Sequence, residues 1–275
     1  MTQIVTRLAG AALALAGLTS TAGARANPMP LPFTYVYSTL PRGEAEVEQY
    51  ADLTPVKAIA PTGSTAPYLA MQFQTEFEYG ITDHLELGLY FALEPQGPAG
   101  YRSTASLTEG TGSKQRLRYR FGEEGQLPID IALYGEVVEF DTEVEFEGKL
   151  LLQKRFGDLI VAANLWGEIE RELGASGGAV NWIANPTLGA TYQVTPAVHL
   201  GVEGWMRGEW PSAGLASRPF ALGPHELVGP TFLFDFGRFW WSTGVYVRVD
   251  DLSREMQPLD NYGPVWVRTI VGFGL

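Results

Sequence analysis

Residues Tyr68 to Phe91 read YLAMQFQTEFEYGITDHLELGLYF, and this stretch decides the fold. From Leu69 to Tyr79 the odd positions are Leu, Met, Phe, Thr, Phe and Tyr, while the even positions are Ala, Gln, Gln, Glu and Glu. After a short turn over 80–83 the parity resumes, with Leu85, Leu87, Leu89 and Phe91 set against His84, Glu86, Gly88 and Tyr90. A period of two describes a strand with one apolar and one polar face. Each arm is about ten residues or more, long for a soluble strand and suited to a tilted strand crossing a bilayer. The stretch reads as a transmembrane β-hairpin.

Working outward, the same alternation recurs along the chain. Strands are expected at Glu44–Tyr50, Lys114–Phe121, Ile129–Phe140, Glu143–Lys154 and Leu159–Arg171. Further ones follow at Asn181–Val194, Ala197–Trp210, His225–Phe234, Phe239–Asp250 and Tyr262–Leu275. With the opening hairpin this makes about twelve. Short links at 80–83, 123–128, 155–158, 195–196 and 235–238 alternate with longer ones at 52–67, 94–113, 211–224 and 251–261. Short periplasmic turns alternating with longer extracellular loops are the outer-membrane pattern. The expected fold is therefore all-β, a single antiparallel transmembrane β-barrel over residues 43–275.

Residues 1–26 read as a cleaved signal peptide: Arg7 ahead of an apolar run from Leu8 to Leu18, then the A-x-A site Ala24-Arg25-Ala26. Residues 27–42 are proline-rich, which excludes a central strand; they are expected in the periplasm or tucked into the barrel mouth. There is no cysteine, hence neither a lipid anchor on Cys nor a disulfide framework. No later run is apolar for long enough to be a spanning helix. The formal charge of −12 falls to about −14 once Arg7 and Arg25 leave with the signal. Such a chain would not neutralise phosphates, so nucleic acid is excluded as a partner.

Three segments, FTYVYSTLPRGEAEVEQY, YGITDHLELGLYF and LLQKRFGDLIVAANL, resemble uncharacterised Gram-negative outer-membrane β-barrel proteins. These lie near the transporter-like family associated with the MetA pathway of phenol degradation. The resemblance implies one membrane barrel of about twelve strands and no established catalytic residues. The chain departs from the usual terminal Phe or Trp read by the insertion machinery: it ends on Leu275, with Phe273 on the same face.

If the apolar parity faces lipid, the charges face inward, because Arg or Lys at the bilayer midplane would cost roughly 2–4 kcal/mol each. Arg116, Arg118, Arg120, Arg207 and Arg268 would form a basic lumen wall. Glu76, Glu78, Glu86, Glu145, Glu147 and Glu203 would form an acidic one, with Tyr134, Trp166, Trp205 and Trp266 as inward aromatics. Tyr68, Phe77, Tyr79, Phe91, Trp182, Trp210, Phe239, Trp240 and Trp241 sit near strand ends, as an interfacial girdle requires.

The expected function is a passive channel or binding barrel for small solutes, in contact with outer-membrane lipid and lipopolysaccharide and inserted by the barrel-insertion machinery. A non-conducting structural or surface-binding barrel is the alternative. An acyl-chain enzyme using His225 with Ser212 or Ser217 is a third reading, with no motif linking those residues, and the expectation is that the protein is not an enzyme. No cofactor is implied. Asp250, Asp251, Asp260 and Asn261 read as solvated loop groups rather than a metal site. With about sixteen residues ahead of the first strand, no energy-coupled plug domain is expected.

Overall fold

In the computed structural model, residues 26–59, 63–93, 112–140, 143–173, 180–211, 222–253, 256 and 262–275 are described, and among them all regular structure is strand. The strands are β1 (Ala45–Ile59), β2 (Thr65–Gly80), β3 (Leu85–Leu93), β4 (Gly112–Arg120), β5 (Asp130–Phe140), β6 (Glu143–Phe156) and β7 (Leu159–Glu172). They continue as β8 (Val180–Ala184), β9 (Thr187–Thr195), β10 (Val198–Pro211), β11 (Leu222–Asp235), β12 (Phe239–Arg248) and β13 (Val265–Gly274). Apart from β8 and β9, neighbours along the chain pair antiparallel, and β13 returns to β1 through eight register pairs from Glu46↔Gly274 to Leu53↔Val267. The sheet is thereby closed, which removes the free edges a bilayer cannot satisfy.

Thirteen strands make twelve staves. Both β8 and β9 lie between β7 and β10, so they are two halves of one stave interrupted at Asn185-Pro186. The periodicity carries straight through this region, but Pro186 has no N–H for the ladder. The flanking groups pair around it: Asn185 N–H donates to the Trp166 carbonyl at 3.0 Å and Met206 N–H to the Pro186 carbonyl at 3.1 Å.

The opening hairpin forms as its parity dictates, with Gly80↔Glu86 through Phe73↔Leu93 in register. The 52–67 stretch differs from expectation. Rather than a long loop, β1 and β2 stay paired as far as Ile59↔Thr65, through Pro55↔Leu69 and Lys57↔Pro67. Two prolines are tolerated there because this end of the hairpin is paired on one side only. The β13 pairing stops at Leu53 and the β3 pairing begins at Phe73. A missing N–H can then face away from any ladder. At the opposite end the turns are tight, and Gly157 (φ 61°) and Gly237 (φ 90°) take the left-handed conformations they need.

The two faces separate by polarity. Leu89, Phe91, Leu117, Leu133, Phe146, Leu165, Leu188 and Val202 lie on the exposed outer face, while Glu76, Glu86, Arg116, Arg118, Asn164 and Glu203 are buried inside. The girdle expectation fits Tyr79, Phe91, Trp182, Phe239 and Trp241, which are exposed. Trp240 is a correction. It is fully buried and donates its indole N–H to Glu46, because the parity of β12 turns it inward. Gly272 opposite makes the room; a Cβ there would lie 2.2 Å from the indole.

Residues 27–40 run inside the barrel, and Pro41 and Arg42 are exposed. Met29, Leu31, Phe33, Tyr35, Val36, Tyr37 and Leu40 are all buried. The segment joins no sheet, so its amides need side-chain partners. Wall residues supply them: Glu203 accepts from Phe33 N–H at 3.0 Å and from Thr34 N–H, and Asn164 from Tyr35 N–H at 2.8 Å. Gln153 accepts from Tyr37 N–H at 2.9 Å, Glu86 from Leu40 N–H at 2.6 Å and Glu46 from Asn27 N–H at 2.7 Å. Proline at 28, 30 and 32 removes three donors that would otherwise require the same service. The proline content that excludes a strand is what lets an unpaired chain lie buried inside the barrel.

Candidate functional site: the barrel interior

On the β2–β4 side the interior is a closed ion-pair knot. Arg116 donates through Nε to Glu76 at 2.7 Å, through Nη1 to Glu86 at 2.6 Å and through Nη2 to Glu78. Arg118 donates to the same Glu86 oxygen at 2.6 Å. All five side chains are at most 3 % exposed. Gly88 lies between them, and a Cβ at that position would sit 2.5 Å from both Arg116 Nε and Glu76 Oε1. Tyr90 and Tyr134 flank the Arg116 guanidinium with ring centroids at 6.0 and 5.7 Å. Burial of this kind requires that every charge be met, since an unpaired one costs several kcal/mol.

On the β5–β7 side the arrangement is opposite in kind. Glu136, Glu147 and Glu168 stand directly across from one another on three successive staves, and Glu145 stands across from Glu170. Like charges in direct register are destabilising. Seven inward carboxylates (Glu136, Glu143, Glu145, Glu147, Glu168, Glu170, Glu209) meet three cations. Lys114 is 3.6 Å from Glu136, Lys149 is 2.7 Å from Glu147, and Arg207 bridges Glu168, Glu170 and Glu209 at 2.9, 2.8 and 3.0 Å. Ligand atoms of Glu145, Glu168 and Glu170 all fall within 4.8 Å of one another.

Between these walls lies the N-terminal segment, and its alternate aromatic side chains rest under basic residues. Arg268 sits 3.7 Å from the centroid of Phe33, Arg118 lies 5.7 Å and Lys149 4.5 Å from that of Tyr35, and Arg120 lies 5.8 Å from that of Tyr37. Such contacts are worth about 0.5–2 kcal/mol each, the upper end applying when desolvated. Phe33 packs on Trp205 at 4.5 Å within a cluster that includes Tyr246 and Trp266. Tyr262 stacks on His225 at 4.6 Å and on Trp266 at 5.7 Å. Where the segment leaves room, at the turn end, a cavity of about 350 Å³ opens. Tyr37, Thr39, Arg120, Gln153 and His199 are among its lining.

The structure thus brings Arg116 and Arg118 together with Glu76, Glu78 and Glu86. Glu145 and Glu147 belong to the other wall, and no ion pair links them to Arg116 or Arg118 among the described residues. Arg120 sits at the turn end, paired with Glu123 at 2.8 Å. Arg268 is held by Asp52 at 2.8 and 2.9 Å, and Glu203 serves the N-terminal segment and the Tyr246 hydroxyl. Tyr134 donates to Glu136 at 2.6 Å, and Trp166 lies 3.5 Å beneath Lys149. Sequence reading missed Asn164, Gln153 and Asp52. Their inward parity is visible in the sequence, but their partners lie more than a hundred residues away.

His225 faces Asp250 at 3.5 Å; Ser212 and Ser217, the residues considered with it, lie outside the described residues, as do Asp260 and Asn261. In the β4–β5 turn, outside the spanning strands, hydrogen bonds from Arg120 and then His84 hold the Glu123 carboxyl below its ordinary value.

No protein-family model and no curated protein matches the chain. Among solved structures, it is similar to the COG4313 outer membrane channel from Pseudomonas putida F1. Identity is 12 %, with 87 % of this chain and 98 % of that one covered at a TM-score of 0.58. It is also similar to the NanC porin, at 8 % identity over 84 % of this chain and all of that one, with a TM-score of 0.55. At these identities what is shared is the fold: a closed twelve-stave antiparallel barrel of the kind seen in outer-membrane channels and porins.

Proposed function

We propose that the protein is a passive channel or binding barrel for small solutes in a Gram-negative outer membrane, with a charged lumen. The observation that carries this reading is the cavity of about 350 Å³ that the interior leaves beside its N-terminal segment, with Arg120, Glu123, Gln153 and Arg155 among its lining. The rest of the interior turns some twenty ionisable side chains inward. The exposed apolar belt suits lipid, and the fold shared with a protein named as a channel and another named as a porin supports the same direction. The basic wall of β4 serves this reading as a fixed scaffold more than as a filter, because its guanidinium groups are engaged by carboxylates.

A non-conducting barrel is the second reading, and the buried segment from Met29 to Leu40 is the observation that favours it. Insertion would follow the usual export route, with residues 1–26 removed, and lipopolysaccharide would surround the outer rim. Swelling of liposomes containing the refolded protein in small-solute solutions tests the proposal. Solute-dependent swelling supports a passage, and rates equal to protein-free liposomes oppose it.

A further inference from the structure

We propose that removal of residues 1–26 creates the ion pair that fastens the N-terminal segment inside the barrel. The α-ammonium group formed on Asn27 is the cation that the buried carboxylates of Glu46, Glu48 and Glu78 otherwise lack. This rests on cleavage after Ala24-Arg25-Ala26 and holds whether or not the barrel conducts.

Three observations meet at one nitrogen. First, Asn27 N lies 2.7 Å from Glu46 Oε2, and Glu46 is fully buried. The residue that the sequence marks as the mature terminus has its nitrogen against a carboxylate. Second, the surrounding carboxylates are short of cations. Glu46 stands across from Glu78, and Glu48 across from Glu76, on β1 and β2; like charges in such register are destabilising. Arg116 serves Glu76, Glu78 and Glu86, and Arg118 serves Glu86. Among the described residues no side-chain cation pairs with Glu46 or Glu48. Their side-chain donors are neutral, the Trp240 indole on Glu46 and the Tyr50 hydroxyl on Glu48.

Third, one acceptor is unused. Carboxylate oxygens of Glu46, Glu48 and Glu78 converge within 4.8 Å of one another, and Glu78 Oε2 is buried with no donor in reach. The N–H groups that Arg118 leaves unused do not answer this. Arg118 meets the cluster only at 3.9 Å, on the Glu78 oxygen that already accepts from Arg116.

Cleavage changes what Asn27 can offer. Hydrolysis breaks the C–N bond between Ala26 and Asn27; water gives its hydroxyl to the Ala26 carbonyl carbon and a hydrogen to the Asn27 nitrogen. The new carboxyl then passes its proton to the new amine, so Ala26 leaves as a carboxylate and Asn27 stays as an ammonium. The amide had one N–H and no charge, whereas the ammonium has three donors and a positive charge. Charge-assisted bonds to the cluster then hold the segment by its end.

The test compares two refolded proteins released from fusions without added residues, one beginning at Asn27 and one at Ala26. The fold accommodates the extra residue, since Ala26 is buried with its N–H on the Gly237 carbonyl. It moves the ammonium one residue away and leaves a neutral amide against Glu46. Chymotrypsin should cut within 27–42 at least about tenfold faster in the Ala26 form. In a Glu46→Gln background the two forms should be cut at nearly equal rates. That coupling separates a charge pair from the steric effect of one added residue, and heat-modifiable migration confirms that each barrel is folded. Equal rates in the parent background would mean that the cluster holds protons in place of a cation, and would overturn the inference. The same difference with and without Glu46 would overturn it too, as would an exported protein whose mass places its first residue anywhere but Asn27.

Discussion

The two charged walls of the interior are built from the same residue types and do opposite things. On β2–β4 Arg116 is held by three carboxylates and Arg118 by Glu86, and Gly88 is kept small so that Arg116 can enter. On β5–β7 carboxylates face carboxylates across three staves and outnumber the cations beside them. The first wall is a tie organised about Arg116; the second sets carboxylate against carboxylate. Burial alone would not separate them, since both sets are largely hidden from solvent. The register of like and unlike charges does.

The largest effect is expected in the tie. Arg116→Leu removes the cation hydrogen-bonded to Glu76 and Glu78 and one of the two on Glu86 and should cost about 3–5 kcal/mol in guanidinium unfolding of the refolded barrel; a loss under about 1 kcal/mol would show that the knot is not structural. Phe33→Ala, which removes a ring packed between Arg268 and Trp205, should weaken docking of the N-terminal segment by about 3 kcal/mol. Limited proteolysis reads this directly: cleavage within 27–42 should accelerate while the barrel keeps its heat-modifiable migration.

The contrast between walls sharpens with a matched pair of neutralisations. Glu86→Gln removes an acceptor used by Arg116, Arg118 and the Leu40 N–H and should destabilise by about 2–3 kcal/mol. Glu145→Gln relieves repulsion against Glu170 and should be neutral or stabilising by up to about 1 kcal/mol. Equal losses at both positions would erase the distinction.

The smallest effect belongs to the turn. The Glu123 carboxyl is held low by Arg120 and His84, so its contribution is present above the ordinary carboxylate range and is lost as pH falls through its lowered value. Acid titration of thermal stability should therefore be slightly flatter in Glu123→Gln than in the parent protein.

Much of the barrel was legible because parity is a local signal. YLAMQFQTEFEYGITDHLELGLYF states its two faces without reference to anything distant, and the short turns before Leu159 and Phe239 state their own ends. The prolines misled once. Pro55 and Pro67 read as loop, because a missing N–H excludes a ladder on its own side but not on the other; Pro28, Pro30 and Pro32 left the segment either in the periplasm or tucked into the barrel mouth. Trp240 read as girdle from its position near a strand end, while parity within β12 sends it to Glu46. Within the site, inward residues could be listed from sequence, but their grouping into two walls could not. Which glutamate stands opposite which is fixed by register between staves, and the sequence of one strand does not contain the register of its neighbour.

The most direct test of the account is a paired single-channel recording of the refolded protein beginning at Asn27 and of the same protein lacking residues 27–40. The account predicts resolved open steps in the first and larger steps in the second, since Leu31, Phe33 and Tyr35 would no longer occupy the interior. Two folded, heat-modifiable barrels that both fail to conduct would contradict it.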